Sequence, residues 1–357
     1  MTANVLCPAP VIRVYDNPSA FRLLEEDWKD LFQQHGGWNV FLSWQWFYHW
    51  WNSFGSDKQL QILTLSKEGR LMGIAPMMVE TSDAGVRQLA LVGSDRTTDY
   101  CDLLVDPRYE EALCKALSEF IEGGLRRHWE RVEMRSLPAD SPLLAGFREM
   151  ADRRGMQTIV RASNTCPIVR LAPTWEEYLA ALGKTDRHEL RRKIRRSQAA
   201  GAQTFRQLVT PDEVAASLDS FFRLHRASRP DKAAFLDDKT ASFFRGVSDA
   251  FAREGWLRLN LMQIDGRDVA ACMAFARGDR VLLYNSGLDP DSRIHSVGIA
   301  LHAADIQQAI AQGKVWYDFL RGNEPYKYDF GAKDSPIYTL TILPAGTGEV
   351  EEESDRG

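Results

Sequence analysis

Disulfide and zinc chemistry have little to work with in this chain. Its five cysteines, Cys7, Cys101, Cys114, Cys166 and Cys272, are an odd and scattered set. Without a Cys-x-x-Cys pair or histidines at ligand spacing they read as reduced thiols, and no metal is expected. Long hydrophobic runs are missing as well. Nothing approaches the roughly 18–20 apolar residues needed to cross a bilayer, and the first residues lack the charged and apolar regions of a signal peptide, so a cytoplasmic chain without stable membrane insertion is expected. Excess charge is also absent. A formal net charge of −5 gives no global attraction to nucleic acid or acidic membranes, so any polyanion binding has to be local. What the chain does have is 44% apolar residues and ten tryptophans, enough to bury two sizeable cores.

Two cores match an internal repeat. Residues 60–70, LQILTLSKEGR, lie over 257–267, LRLNLMQIDGR, without a gap, and each reads as strand, Gly turn and second strand. Leu104-Val-Asp-Pro107 corresponds to Gly287-Leu-Asp-Pro290, each ahead of a helical stretch, and Arg131 to Leu137 corresponds to Lys314 to Leu320. The order is kept throughout. Two related modules of about 150–180 residues, each hairpin, turn, helix and strand, fit the usual size range of a domain. The boundaries expected are 1–160 for the first module, 161–346 for the second, and an acidic flexible tail over 347–357.

The most informative segment runs from Arg280 to Gly331. Arg280 to Tyr284 is β-rich, Asn285 to Pro290 is turn chemistry, and 296–310 has helical apolar spacing, with Ser296 placed to cap the helix. A helix N-terminus presents unpaired N–H groups and the positive end of a dipole, and a glycine in its first turn lets a phosphate approach the backbone. His295-Ser-Val-Gly-Ile-Ala300 resembles the pyrophosphate signature of the GCN5-related N-acetyltransferases, Arg or Gln followed by x-x-Gly-x-Gly/Ala, with a His in the first position. The ending, Asp318-Phe-Leu-Arg-Gly322 followed by Tyr326-Lys-Tyr-Asp-Phe-Gly331, is similar to the last motif of CelD-type acetyltransferases, named for cellulose biosynthesis, and of the related Fem-type peptidoglycan aminoacyltransferases. Phe41-Leu-Ser-Trp-Gln-Trp46, Asp99-Tyr-Cys-Asp-Leu-Leu-Val105 and the stretch from Tyr178 to Gly201 extend the resemblance over nearly the whole chain.

The resemblance implies an α/β (α+β) fold of tandem acetyltransferase-like modules, each a mixed, mostly antiparallel twisted sheet flanked by helices. It implies acetyl-CoA or another acyl-CoA as co-substrate in the second module, with an acyl carrier protein as a possible donor. The first module has no glycine at its own loop-helix junction, 106–111, and is expected to shape the acceptor cleft. The expected cofactor contacts are Leu283, Tyr284, Asn285 and Ser286 on the strand, and Arg293, His295, Ser296, Val297, Gly298 and Ala300 at the turn and helix start. The acceptor implied is an amine of a small metabolite or of a glycan or envelope precursor. Aminoacyl-tRNA, the donor of Fem-type enzymes, is the lesser reading because no long coiled-coil insertion is visible. A non-catalytic scaffold of a polysaccharide pathway is a third.

Acyl transfer to an amine needs a free-base nucleophile, and deprotonating a lysine-like amine of pKa near 10.4 at pH 7 costs roughly 4–5 kcal/mol, which calls for a base. Asp99 and Asp102 are the candidates. Tyr326 is the first choice for protonating the departing thiolate, with Tyr317 and Tyr328 behind it. Lys327 is suited to stabilising charge or to the surface, and Asp318 to binding acceptor or orienting Lys327. Two further stretches stand out. Residues 184–196 carry seven Lys or Arg in thirteen and read as a helix with a solvated basic face or an anion-binding one. Residues 44–54 form an aromatic helix read as core, with spare rings for a cleft, capped by Ser43 and ended by Gly55; His49 on it reads as a surface histidine.

Overall fold

A computed structural model describes residues 9–94, 97–124, 127–144 and 146–344. The expected tail and Cys7 lie outside the described residues. The strands in chain order are β1 (Val11–Tyr15), β2 (Gln59–Lys67), β3 (Arg70–Thr81), β4 (Arg87–Leu91), β5 (Leu104–Val105), β6 (Arg131–Pro138) and β7 (Gln157–Thr165). They continue as β8 (Ile168–Arg170), β9 (Gln203–Leu208), β10 (Leu257–Ile264), β11 (Arg267–Arg277), β12 (Arg280–Leu288), β13 (Trp316–Asp318) and β14 (Pro336–Leu343). The helices are α1 (Ala20–Leu23), α2 (Glu25–His35), α3 (Trp44–Phe54), α4 (Glu110–Gly124), α5 (Gly146–Arg153) and α6 (Trp175–Ala181). After them come α7 (Lys184–Gln198), α8 (Pro211–Ser228), α9 (Pro230–Phe235), α10 (Asp238–Arg253), α11 (Val297–Ala311) and α12 (Pro325–Asp329).

Two mixed sheets result. One runs β1-β2-β3-β4-β6-β14-β7 with β5 beside β3, and the other runs β8-β13-β12-β11-β10-β9. Each is antiparallel apart from one pair, β4 with β6 in the first and β12 with β13 in the second. The repeat read from the sequence is exact in geometry at the hairpins. Glu68-Gly69 and Asp265-Gly266 both take positive φ, 52° and 78° against 50° and 78°, the left-handed pair that a two-residue hairpin requires. Both hairpins also carry a register shift at the matching place, Leu65/Ser66 and Met262/Gln263. Asp106 and Asp289 each accept a hydrogen bond from the amide two residues on, opening short 3-10 turns before α4 and α11, which are both 15 residues long.

The module boundary differs from the expectation at both ends. β7 extends the first sheet to Thr165, and β14, placed by sequence in the second module, crosses back to pair with β6 and β7. Its alternating residues Leu340 and Ile342 are fully buried in the first sheet's core beside Leu63 and Met134. Which sheet a strand completes depends on which edge is open, and that is a tertiary property.

The aromatic helix α3 packs into the core through Trp44, Trp46, Phe47, Trp50 and Trp51. Ser43 Oγ accepts from the Trp46 amide at 3.3 Å, as expected of the cap. Trp46 is fully buried and its ring packs at 5.0 Å from Phe243, 6.0 Å from Phe275 and 5.7 Å from Tyr284, all in the second module. Trp44 and Tyr48 stack on each other at 4.6 Å and line no cleft described below. His49 is half-buried rather than an open surface histidine: its ring lies against Gly246 of α10, where a side-chain carbon would meet Nδ1 at 2.3 Å, and burial lowers its pKa. One continuous apolar cluster thus joins the two sheets through α3.

Candidate active site

β12 and β13 run together for only three residue pairs, Arg280 to Leu282 against Trp316 to Asp318. Past Leu282 the edge of β12 that faced β13 loses its partner, while its other edge stays paired to β11 as far as Leu288. A turn over 285–290 was expected here. The strand instead continues, because pairing to Ala270–Met273 carries it, and Tyr284 is the extra residue of a bulge between Met273 and Ala274. A bulge re-aims backbone and side chain and is often found beside active sites. Leu283 turns to the α11 core, Tyr284 donates through its hydroxyl to Thr97 O at 2.6 Å, and Asn285 Oδ1 lies 3.3 Å from His225 Nε2.

A cleft of about 250 Å³ opens at this bulge. The first module contributes Asp99; β12 contributes Tyr284 and Asn285; the α8–α9 junction contributes His225, Arg229, Asp231, Lys232 and Phe235; the turn after β13 contributes Arg321 and Glu324. A hollow of about 300 Å³ beside Trp51 and Lys58 shares none of these residues. The loop bearing Asp99 is held by α3: Trp50 Nε1 donates to Thr97 Oγ1 at 2.8 Å and Trp46 Nε1 to Thr98 Oγ1 at 2.9 Å. Asp99 is buried and faces Arg321, Nε to Oδ1 3.2 Å. Burial pushes its carboxyl up, against the pull of Arg321 and then of Lys327. That raises its basicity, as a proton acceptor in a cleft requires.

The other wall depends on one glycine. At Gly287 a side-chain carbon would lie 2.3 Å from the backbone nitrogen of His225, so only Gly lets α8 approach β12 closely. His225 is consequently buried and neutral, with its pKa lowered to about 4 chiefly by burial, and among the described residues its Nδ1 has no hydrogen-bond partner. Lys232 Nζ donates to the carbonyl of Ser286, two residues past the bulge. Burial, followed by Arg229, lowers its pKa to about 8.

At the far end of β12 the helix start departs from the expected cap. Ser296 sits in the left-handed region, φ 60°, and its side chain caps nothing. A side-chain cap needs the extended conformation, which this turn denies it. The first intrahelical bond is Ala300 N to Ser296 O, so the amides of Val297, Gly298 and Ile299 are the orphan donors of α11. Arg293 ties the preceding turn to α8 by donating to Ser228 O at 2.8 Å. His295 closes that turn, and the side chains of Val297 and Ala300 are buried in the core. At Gly298 an added carbon would meet only the end of Leu288, at 3.2 Å.

Four expected catalytic residues lie elsewhere than in the cleft. Asp102 accepts from Ser141 Oγ and the Leu103 amide, both at 2.8 Å, and is pushed up to about 7 by burial. Its native form keeps a proton that the unfolded chain releases near 3.8, so the stability it contributes is complete below that value and is lost as pH rises through about 7. Asp102→Asn is therefore expected to gain on the wild type between pH 5 and pH 8, read as urea midpoints; an unchanged difference at the two pH values would refute it. Asp318 does not orient Lys327 or face an acceptor. It is fully buried, accepts from Tyr100 Oη at 2.9 Å and the Leu320 amide at 2.8 Å, and sits 3.5 Å from Arg280, thereby joining the two modules. Lys327 is not a surface residue but 2% exposed. It donates to the carbonyls of Leu320, Arg321 and Gly322 at 3.1, 3.0 and 2.9 Å and pairs with Glu324. Those four acceptors knot the turn that presents Arg321. Tyr326 stacks on His302 of α11 at 5.4 Å, and burial pushes its phenol up, which makes it a poor proton donor at neutral pH. Tyr317 donates to Asp305 at 2.8 Å, and Tyr328 to Asp334 at 2.7 Å.

Sequence reasoning missed His225, Arg229, Lys232 and Glu324, and quoted Arg321 without a role. The α8–α9 junction carries no motif; only the close approach at Gly287 brings it to β12.

On the basic helix α7, Arg191, Arg192 and Lys193 pair with Glu176, Glu189 and Asp329, while Arg195 and Arg196 are exposed. The helix packs on α11. Among the described residues no helix is long and apolar enough to cross a membrane.

Residues 184–328 match the family model described as an acetyltransferase (GNAT) domain. No curated protein matches the chain. Among solved structures, FemX is 11% identical, with a TM-score of 0.63 over 88% of this chain and 95% of its own. The L-PGS structure from Bacillus licheniformis is 12% identical, with a TM-score of 0.58 over 88% of this chain and 90% of its own. The C-terminal domain of a putative lysylphosphatidylglycerol synthetase from Agrobacterium fabrum is 13% identical, with a TM-score of 0.55 over 90% and 92%.

Proposed function

We propose that this chain, whose residues 184–328 match the acetyltransferase (GNAT) domain model and whose fold is like that of FemX, transfers an acyl group, acetyl first of all, from a coenzyme A thioester to an amine. The acceptor is a small metabolite or a glycan or envelope precursor, and the amine attacks directly within a ternary complex. The observation that carries the reading is the splay of β12 from β13, with the bulge at Tyr284 opening on one side to the cleft and the uncapped amides of α11 at the other end of the same strand. Unpaired strand edge suits the amides of a pantetheine arm, a re-aimed backbone N–H suits a developing oxyanion, and orphan helix amides suit a diphosphate. Asp99 receives the proton of the acceptor amine.

Calorimetric titration with acetyl-CoA, longer acyl-CoAs and free CoA tests this. Wild type is expected to bind, and Gly298→Trp, which sets an indole over the first amides of α11, to bind at least tenfold more weakly. Equal responses would remove the donor site. The exposed Arg195 and Arg196 and the likeness to FemX favour one second reading, an aminoacyl-tRNA donor. That reading requires steeply salt-dependent tRNA binding that falls when both arginines become Ala, and indifference to CoA.

A further inference from the structure

The cleft holds three cations and three carboxylates, but they are not all closely paired. Arg321 faces Asp99 at 3.2 Å, Arg229 faces Asp231 at 2.7 Å, and Lys327 below them faces Glu324 at 2.9 Å. Lys232 differs. It lines the same cleft and is largely shielded from water, yet among the described residues it forms no ion pair with a carboxylate, and its bond to the Ser286 carbonyl uses one of its three N–H donors. Glu324 and Asp231 act on it only as more distant charges, behind burial and Arg229, so the cost of withdrawing this ammonium from water is incompletely offset, and an anion arriving at the site would offset more of it. The lowered pKa, about 8, is the same imbalance expressed as proton affinity. The volume, about 250 Å³, lies below the roughly 300–1,000 Å³ of sites that enclose a drug-sized ligand, so the cleft receives the reactive end of a molecule and little more.

We infer that the acceptor is an amine carrying its own anionic group, a carboxylate or phosphate close to the nitrogen, and that Lys232 holds this group while the amine faces Asp99. The inference rests on the acyl-transfer reading and makes Lys232 a residue that selects acceptors. Two protons of the ammonium are available to oxygen, and a charge-assisted bond of this kind is stronger than a neutral one. No covalent step passes through Lys232.

Two arms test it. In the first, inorganic phosphate and acetate are titrated calorimetrically into wild type, Lys232→Met and Lys232→Arg, each checked for an unchanged thermal transition. The wild type is expected to bind at least one anion, Lys232→Met at least tenfold more weakly, and Lys232→Arg with intermediate affinity. Equal affinity in wild type and Lys232→Met overturns the inference whatever the activity. In the second, thiol release from acetyl-CoA is followed with paired amines, 2-aminoethyl phosphate against 2-aminoethanol and γ-aminobutyrate against butylamine. The pair that responds tells phosphate from carboxylate. The anionic member is expected to have at least tenfold higher kcat/KM in the wild type, with no preference left in Lys232→Met. Turnover of both members alike, or an equal fall in kcat for both in Lys232→Met, sinks the inference and leaves acyl transfer standing. Absence of CoA binding would instead remove the acyl-CoA reading, with the anion arm still deciding the role of Lys232.

Discussion

Asp99→Asn is expected to lower kcat for acyl transfer about 100- to 10,000-fold, the usual range for removing a positioned acid or base. The substitution keeps shape and hydrogen-bonding reach but cannot accept a proton. Three features make Asp99 the choice over Asp102: it lines the cleft, it faces Arg321 at 3.2 Å, and burial raises its proton affinity. Asp102 is engaged by Ser141 and Leu103. The variant also leaves the Arg321 guanidinium without its partner, so a loss of stability has to be separated from a loss of chemistry. Asp99→Asn combined with Arg321→Gln does this. If Asp99 serves only to hold Arg321, the double variant recovers turnover; if it accepts the proton, turnover stays low and only stability recovers. Retention of more than a fifth of wild-type kcat by the single variant would refute the assignment.

The largest effect on stability is expected at Trp46. Trp46→Ala should cost about 3–5 kcal/mol, as deletion of a fully buried large ring commonly does, measured as a fall in the urea midpoint. The site cannot collapse easily, because the ring is walled by Phe41, Phe243, Phe275 and Tyr284 on elements from both modules. Turnover should fall as well, since the indole N–H that fixes Thr98, beside Asp99, is lost with the ring. Trp46→Phe keeps most of the apolar contact and should recover most of the stability but not the hold on the loop. A midpoint for Trp46→Ala within the error of wild type would show that α3 does not bind the modules together.

Much of the architecture was legible because it is local. The hairpins at Glu68-Gly69 and Asp265-Gly266 announce themselves through the left-handed turn and the strands around it. Ser43 and Gly55 bracket α3, and the apolar spacing of 297–311 is that of a helix whichever side it packs. The site was legible only in part. Asp99, Tyr284 and Asn285 were named and do meet, whereas Asp102, Asp318, Tyr326 and Lys327 were named from adjacency to motifs and point into other surroundings. An aspartate in the loop before β5 has the same letter whether it faces a cleft, as Asp99 does, or a serine and an amide, as Asp102 does.

The sequence by itself determined the two-module plan, the matching hairpins and the helices α3 and α11, since all follow from short-range sterics, periodicity and hydrogen-bond geometry. Tertiary structure alone decided that β14 returns to the first sheet, that Gly287 draws His225 and Lys232 against the edge of β12, and that Lys327 is buried in a knot of carbonyls. Those outcomes depend on which edges and faces remain open after the rest of the chain has packed, and residues far apart in sequence settle that together.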